Sequence, residues 1–157
     1  MATSDDFEHI LERAEELDCN TDIEIAFIPW NLLAADSQDE LAYHDEVITV
    51  QKLAQQEDVR IDQFISYSDA DTVQLNSTEL FFGGLYVTLD FVRNNWAELV
   101  TLIQLIQEHY SRHDIGSKAE ISISVEKDDG EVEKFDYEGP IDELDSVLES
   151  VSSLDDD

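Results

Sequence analysis

LFFGGLYVTLDFVRNNWAELVTLIQLIQEHY, from Leu80 to Tyr110, is the longest apolar stretch in this 157-residue chain, and its reading decides the fold. One reading is a hairpin: LFF, a Gly-Gly turn, then the β-prone LYVTLDFV, with Asn95 and Glu98 capping a later helix. The other begins a helix just after the glycines. Leu85, Leu89, Val92, Trp96, Leu99, Ile103, Ile106 and Tyr110 recur at alternating intervals of four and three. That unbroken stripe runs through the hairpin reading's cap and favours a helix over about residues 85–112. Gly83 and Gly84 then set its entry turn or let a neighbouring backbone approach. Spacing sustained near 3.5 is also the coiled-coil period, so the Leu85–Tyr110 helix offers a seam for a homo-oligomer.

The stretch does not read as a membrane span. Asp90, Arg93, Asn94, Asn95 and Glu98 interrupt it, and charges within a lipid-spanning helix are costly.

The rest of the chain is extremely acidic, with 39 Asp plus Glu against 8 Lys plus Arg and a formal charge of −31. The acids are spread over every segment, while 42% of residues are hydrophobic, enough for an ordinary core. This balance suits a surface bathed in multimolar salt: at 1 M the Debye length is about 3 Å, and neighbouring carboxylates hardly repel. It resembles the composition of a haloarchaeal protein, or of a virus infecting such a host. A second reading makes the charge a recognition device, an acidic inhibitor or immunity protein, or a nucleic-acid mimic, that binds a basic partner. Direct nucleic-acid binding is disfavoured, because no basic stripe exists to displace counterions from phosphates.

Cys19 is the single cysteine, which rules out an internal disulfide and a cysteine zinc cluster. MATSDDFEHILERAEEL at the N-terminus is acidic and amphipathic rather than basic-then-apolar, so a cytoplasmic location is expected.

Outside the central stretch, Phe7, Ile10, Leu11, Ala14 and Leu17 predict a helix over residues 5–18. IEIAFI, 23–28, reads as a strand ended by Pro29. Ser37 and Glu40 form a capping box before a helix within 36–56, although VITV inside it is strand-prone. VRIDQFISY, 59–67, reads as a strand, and 68–78 as a polar connection. KAEISISVE and EVEKFDY flank Asp128–Asp129–Gly130. A three-residue loop there sets Lys127 against Glu131, Ile123 opposite Phe135 and Ile121 opposite Tyr137; a two-residue loop would put the aromatics on the wrong face. Gly130 then occupies the left-handed position. Pro140 can open a last helix whose apolar face is Ile141, Leu144, Leu148 and Val151.

The expected architecture is α+β: a small antiparallel or mixed sheet packed against a long central helix and flanking terminal helices. Residues 1–154 form one domain, and 155–157 an acidic tail.

Chemistry-bearing motifs are sparse. His109 and His113, four apart, could present two imidazoles to a metal, but two ligands fall short of a site, and the negative end of a helix equally suits them. A calcium loop from Asp69 fails at Gln74 and Leu80, where glycine and glutamate are required. No phosphate loop and no nucleophile elbow occur. No cofactor is implied. IPWNLLAA is the best partner contact: a proline-fixed turn would display Trp30 beside Leu32 and Leu33, and tryptophan is a favoured anchor. The expectation is a non-catalytic adaptor or accessory subunit that binds another protein.

Overall fold

The computed structural model describes residues 10–32, 34–66, 70–73, 79–112 and 118–153. Helix α1 (Ile10–Glu16) leads into β1 (Ile25–Ile28), a 3-10 turn (Gln38–Glu40), β2 (Ala42–His44) and α2 (Asp45–Gln56). Two short strands follow, β3 (Asp62–Gln63) and β4 (Asp71–Val73), and then the long β5 (Glu79–Thr88). Next come α3 (Leu89–Asn94), α4 (Trp96–Arg112), β6 (Lys118–Glu126) and β7 (Val132–Pro140). The described chain closes with a 3-10 helix (Ile141–Ser146) and α5 (Val147–Ser152). The class is α+β, with a mixed five-stranded sheet in the order β3-β1-β5-β6-β7 and a small parallel pair β2-β4.

The apolar stretch is neither a hairpin nor a helix start. Glu79–Thr88 is one continuous strand running through both glycines, antiparallel to β1 on one side and parallel to β6 on the other. The single helix expected over 85–112 is therefore not formed. The chain turns helical only at Leu89, where the Thr88 hydroxyl accepts from the Phe91 N–H at 3.2 Å, and it breaks again at Asn95 before α4. The misreading has a physical cause. A central strand buried on both faces is uniformly apolar rather than alternating, and Leu85, Tyr86 and Val87 are all buried. Leu85 fell in phase with the helical stripe by coincidence.

Register fixes which side chains share a face. Phe27, Leu85, Ile123 and Phe135 form one row across β1, β5, β6 and β7, and Ile25, Val87 and Val125 continue the same face. On the opposite face Ala26, Tyr86 and Ser124 are buried, with Phe64 meeting the Tyr86 ring edge-on at 6.1 Å. That face turns polar toward β7, where the Ser122 hydroxyl donates to Asp136 at 2.6 Å. Gly84 lies beside Ile28, and a Cβ there would stand 3.0 Å from Ile28 Cδ1. The close approach is thus by a side chain, not by backbone.

The β6–β7 hairpin has the three-residue loop expected of it. Lys127 N–H donates to the Glu131 carbonyl at 2.8 Å, Ile123 faces Phe135, Ile121 faces Tyr137, and Gly130 has φ +88°. Pro140 opens a 3-10 helix rather than an α-helix, yet Ile141, Leu144, Leu148 and Val151 are all buried, as their spacing implied.

Residues 36–56 divide into a 3-10 turn, a strand and a helix. Ser37 makes no side-chain cap; Glu40 instead accepts from the Asp36 N–H at 2.7 Å. The strand expected over 59–67 contracts to Asp62–Gln63, although Val59, Ile61, Phe64 and Ile65 are buried. Helices α1 and α2 both end on a left-handed aspartate, Asp18 and Asp58, each with φ 58°. The N–H of the following residue returns to the carbonyl five positions back, Cys19 to Ala14 and Val59 to Ala54.

The described members of the 85–110 stripe do not form an exposed seam. Leu85, Leu89, Val92, Leu99, Ile103 and Ile106 belong to one buried cluster within this chain. No helix among the described residues is long and apolar enough to cross a membrane.

Candidate partner-binding turn

Pro29 ends β1, and the chain folds back on itself at once. Leu32 N–H donates to the Pro29 carbonyl at 3.1 Å, and Ala34 and Ala35 N–H groups both reach the Asn31 carbonyl. Leu32 and Ala35 turn into the core, at 1% and 3% exposure. Trp30 points the other way. At 53% it is the exposed large hydrophobic side chain among the described residues.

Three clamps hold this turn. The Trp30 N–H donates to the Ala42 carbonyl at 2.9 Å. Asn31 bridges two backbone groups, its Nδ2 donating to the Glu40 carbonyl at 2.8 Å and its Oδ1 accepting from the Ala42 N–H at 3.0 Å. From α1, Arg13 donates through Nε to the Leu32 carbonyl and through Nη2 to the Ala35 carbonyl, while Nη1 meets Glu16 at 2.9 Å. Charge-assisted bonds from one guanidinium thus tie a helix to the turn. The Gln38 amide adds a bond to the Asp18 carbonyl at 2.9 Å. Trp30 is therefore carried on an ordered support, which lowers the entropy cost of using it as a contact.

Of the expected contact residues, Trp30 is exposed and Leu32 is a core anchor. Leu33 lies outside the described residues. Sequence reasoning missed Asn31 and Arg13. A signal for Arg13 existed, since with only 8 Lys plus Arg in the chain each base is a rare choice.

His113 and the His109 side chain lie outside the described residues. Among the described residues no group of three or more His, Cys, Asp or Glu side chains is placed to hold a metal ion. Two open hollows flank the C-terminal 3-10 helix. One, of about 350 Å³, is lined by Asp142, Glu143, Asp145, Ser146 and Glu149, and the other, of about 370 Å³, by Gln104, Gln107, Glu108 and Asp145. Both lack the apolar walls of an ordinary ligand pocket.

Shifted ionisations belong to packing. Burial, reinforced by the charge of Asp18, pushes the Cys19 thiol up. Burial is the main cause of the raised Tyr43 ionisation, whose hydroxyl donates to the Ile65 carbonyl at 3.0 Å. Tyr86 is raised by burial and then by its hydrogen bond to Glu126, at 2.5 Å.

Compared with protein-family models, curated proteins and solved structures, the chain matches none of them.

Proposed function

We propose that this protein is a non-catalytic adaptor or accessory subunit of a protein complex, working in the high-salt cytoplasm of a haloarchaeon or carried there by its virus. Trp30 is the side chain that meets the partner. The observation behind this is an indole 53% exposed on a clamped turn, on a surface otherwise dominated by carboxylates. Tryptophan gives large contact area for little conformational loss and is enriched at interface hot spots.

The test presents immobilised wild-type protein and Trp30→Ala side by side to one extract in 3 M KCl. A protein held by the wild type and lost by the variant supports the reading. Identical capture by both removes Trp30 from it.

The formal charge of −31 keeps a second reading in view, an acidic inhibitor of a basic protein. A KCl series followed by circular dichroism separates the two. Folding that requires molar salt assigns the charge to habitat; full folding at about 0.1 M, where the Debye length is about 10 Å, favours the inhibitor.

A further inference from the structure

We infer that β7 pairs with β7 of a second copy of this chain, antiparallel about a two-fold axis, so that two sheets become one. The inference is independent of the reading of Trp30: β5 and β6 lie between β7 and β1, whose end carries that turn.

The two edges of the sheet are built differently. β3 is two residues long, and beside it the Asp62 carboxylate accepts from the Glu24 and Ile25 N–H groups at 2.9 and 3.4 Å. Arg60 meets Asp62 at 3.0 Å and Glu24 at 3.6 Å. A short, capped edge resists pairing with another chain. β7 is nine residues long, and among the described residues no strand pairs with its outer side. The Lys127–Glu131 bond and the β6–β7 register turn the backbone groups of Glu133, Phe135 and Tyr137 toward β6. Those of Val132, Lys134, Asp136 and Glu138 alternate outward.

Charge selects both the occupant and the register. Antiparallel pairing of two such edges sets outward residues opposite one another. Asp136 opposite Asp136, or Lys134 opposite Lys134, brings like charges face to face, which is destabilising. The register between those two sets Lys134 opposite Asp136 of the second copy, twice by symmetry, and Phe135 opposite Phe135 on the other face. Asp136 has capacity for this, because its contacts with the Ser122 hydroxyl at 2.6 Å and its own Lys134 at 3.4 Å both use Oδ1. Phe135 is only partly buried against the core, so the pairing covers more of its ring. Two chains of formal charge −31 repel at low ionic strength. At 1 M the Debye length is about 3 Å, which removes that repulsion and leaves contact pairs and backbone hydrogen bonds in place.

Sedimentation equilibrium of the full chain in about 2 M KCl is expected to give a dimer. Lys134→Glu and Asp136→Lys should each weaken association about ten-fold, and the double variant should restore it, with circular dichroism unchanged throughout. Amide hydrogen exchange of the wild type locates the contact. The Lys134, Asp136 and Glu138 N–H groups should be protected in the dimer alongside those of Phe135 and Tyr137, and Lys134→Glu should release only the first three. A monomer at every concentration overturns the inference, as does a dimer that neither single variant weakens or that the double variant fails to restore. Rapid exchange at Lys134, Asp136 and Glu138 within a dimer also overturns it, by placing the contact elsewhere. Tighter association of Lys134→Thr would overturn it too, since the lysine would then be guarding the edge.

Discussion

Asn31 stands to Ala42 as a neighbouring strand would: its Oδ1 accepts from the Ala42 N–H at 3.0 Å while its Nδ2 donates to the Glu40 carbonyl at 2.8 Å. One amide thus replaces two backbone partners at the point where β1 has ended. The Trp30 turn depends on that substitution for its position.

Asn31→Ala should therefore lower stability by about 1–2 kcal/mol, since each lost hydrogen bond is worth about 0.5–1.5 kcal/mol and water replaces part of it. Urea unfolding at constant KCl measures this. Trp30→Ala, which removes a half-exposed side chain, should stay within about 0.5 kcal/mol of wild type. The reverse order of the two effects would mean that Trp30 supports the fold and that Asn31 does not hold the turn.

Gly84 and Ile28 form a second dependent pair, because a Cβ at Gly84 would lie 3.0 Å from Ile28 Cδ1. Gly84→Val should destabilise by about 1–3 kcal/mol through overpacking. Ile28→Val, which deletes the opposing methyl, should recover much of that loss in the double variant. Strict additivity of the two changes would show that the contact does not limit this position.

Asp18 and Asp58 place a negative charge at the negative end of a helix and a non-glycine residue at φ 58°. Both features oppose stability. Asp58→Gly should raise stability by about 0.5–1 kcal/mol after the entropy cost of glycine is counted. Asp58→Asn removes the charge alone, and its gain should shrink between about 0.1 and about 3 M KCl as screening grows. A gain for Asn independent of salt would locate the effect in backbone conformation.

Tyr43 and Tyr86 make the fold sensitive to alkali. Their folded-state ionisations are raised, chiefly by burial, above the ordinary value near 10. The folded state thus binds these protons more tightly than the unfolded chain does. Their contribution is fully present below pH about 10 and is lost as pH rises above it toward the folded values, by up to about 1.4 kcal/mol per pH unit for each tyrosine. Tyr86→Phe should flatten the decline measured by urea midpoints between pH 9 and 11, roughly the window that brackets the unfolded value. An unchanged slope would mean that Tyr86 ionises as freely in the fold as outside it.

How far the sequence spoke depended on the range of the interactions involved. The β6–β7 hairpin was legible to the residue, because a short loop and strict alternation allow one register that keeps Ile121, Ile123, Phe135 and Tyr137 on one face. The buried faces of α1 and the last helical segment were legible too, since their periodicity is local. Charge and the isolated Cys19 are properties of the chain alone.

Only tertiary structure decided that Glu79–Thr88 is a strand. Its hydrogen-bonding partners, Ile25–Ile28 and Lys118–Glu126, lie far away in sequence, and its Leu85–Val87 segment, buried on both faces, carries no period of its own. The same holds at the candidate site. Trp30 and Leu32 are two residues apart and both apolar, so nothing local says which faces water. Arg13 from α1 and Ala42 from β2 settle it, by holding the backbone so that Leu32 enters the core and Trp30 stays outside.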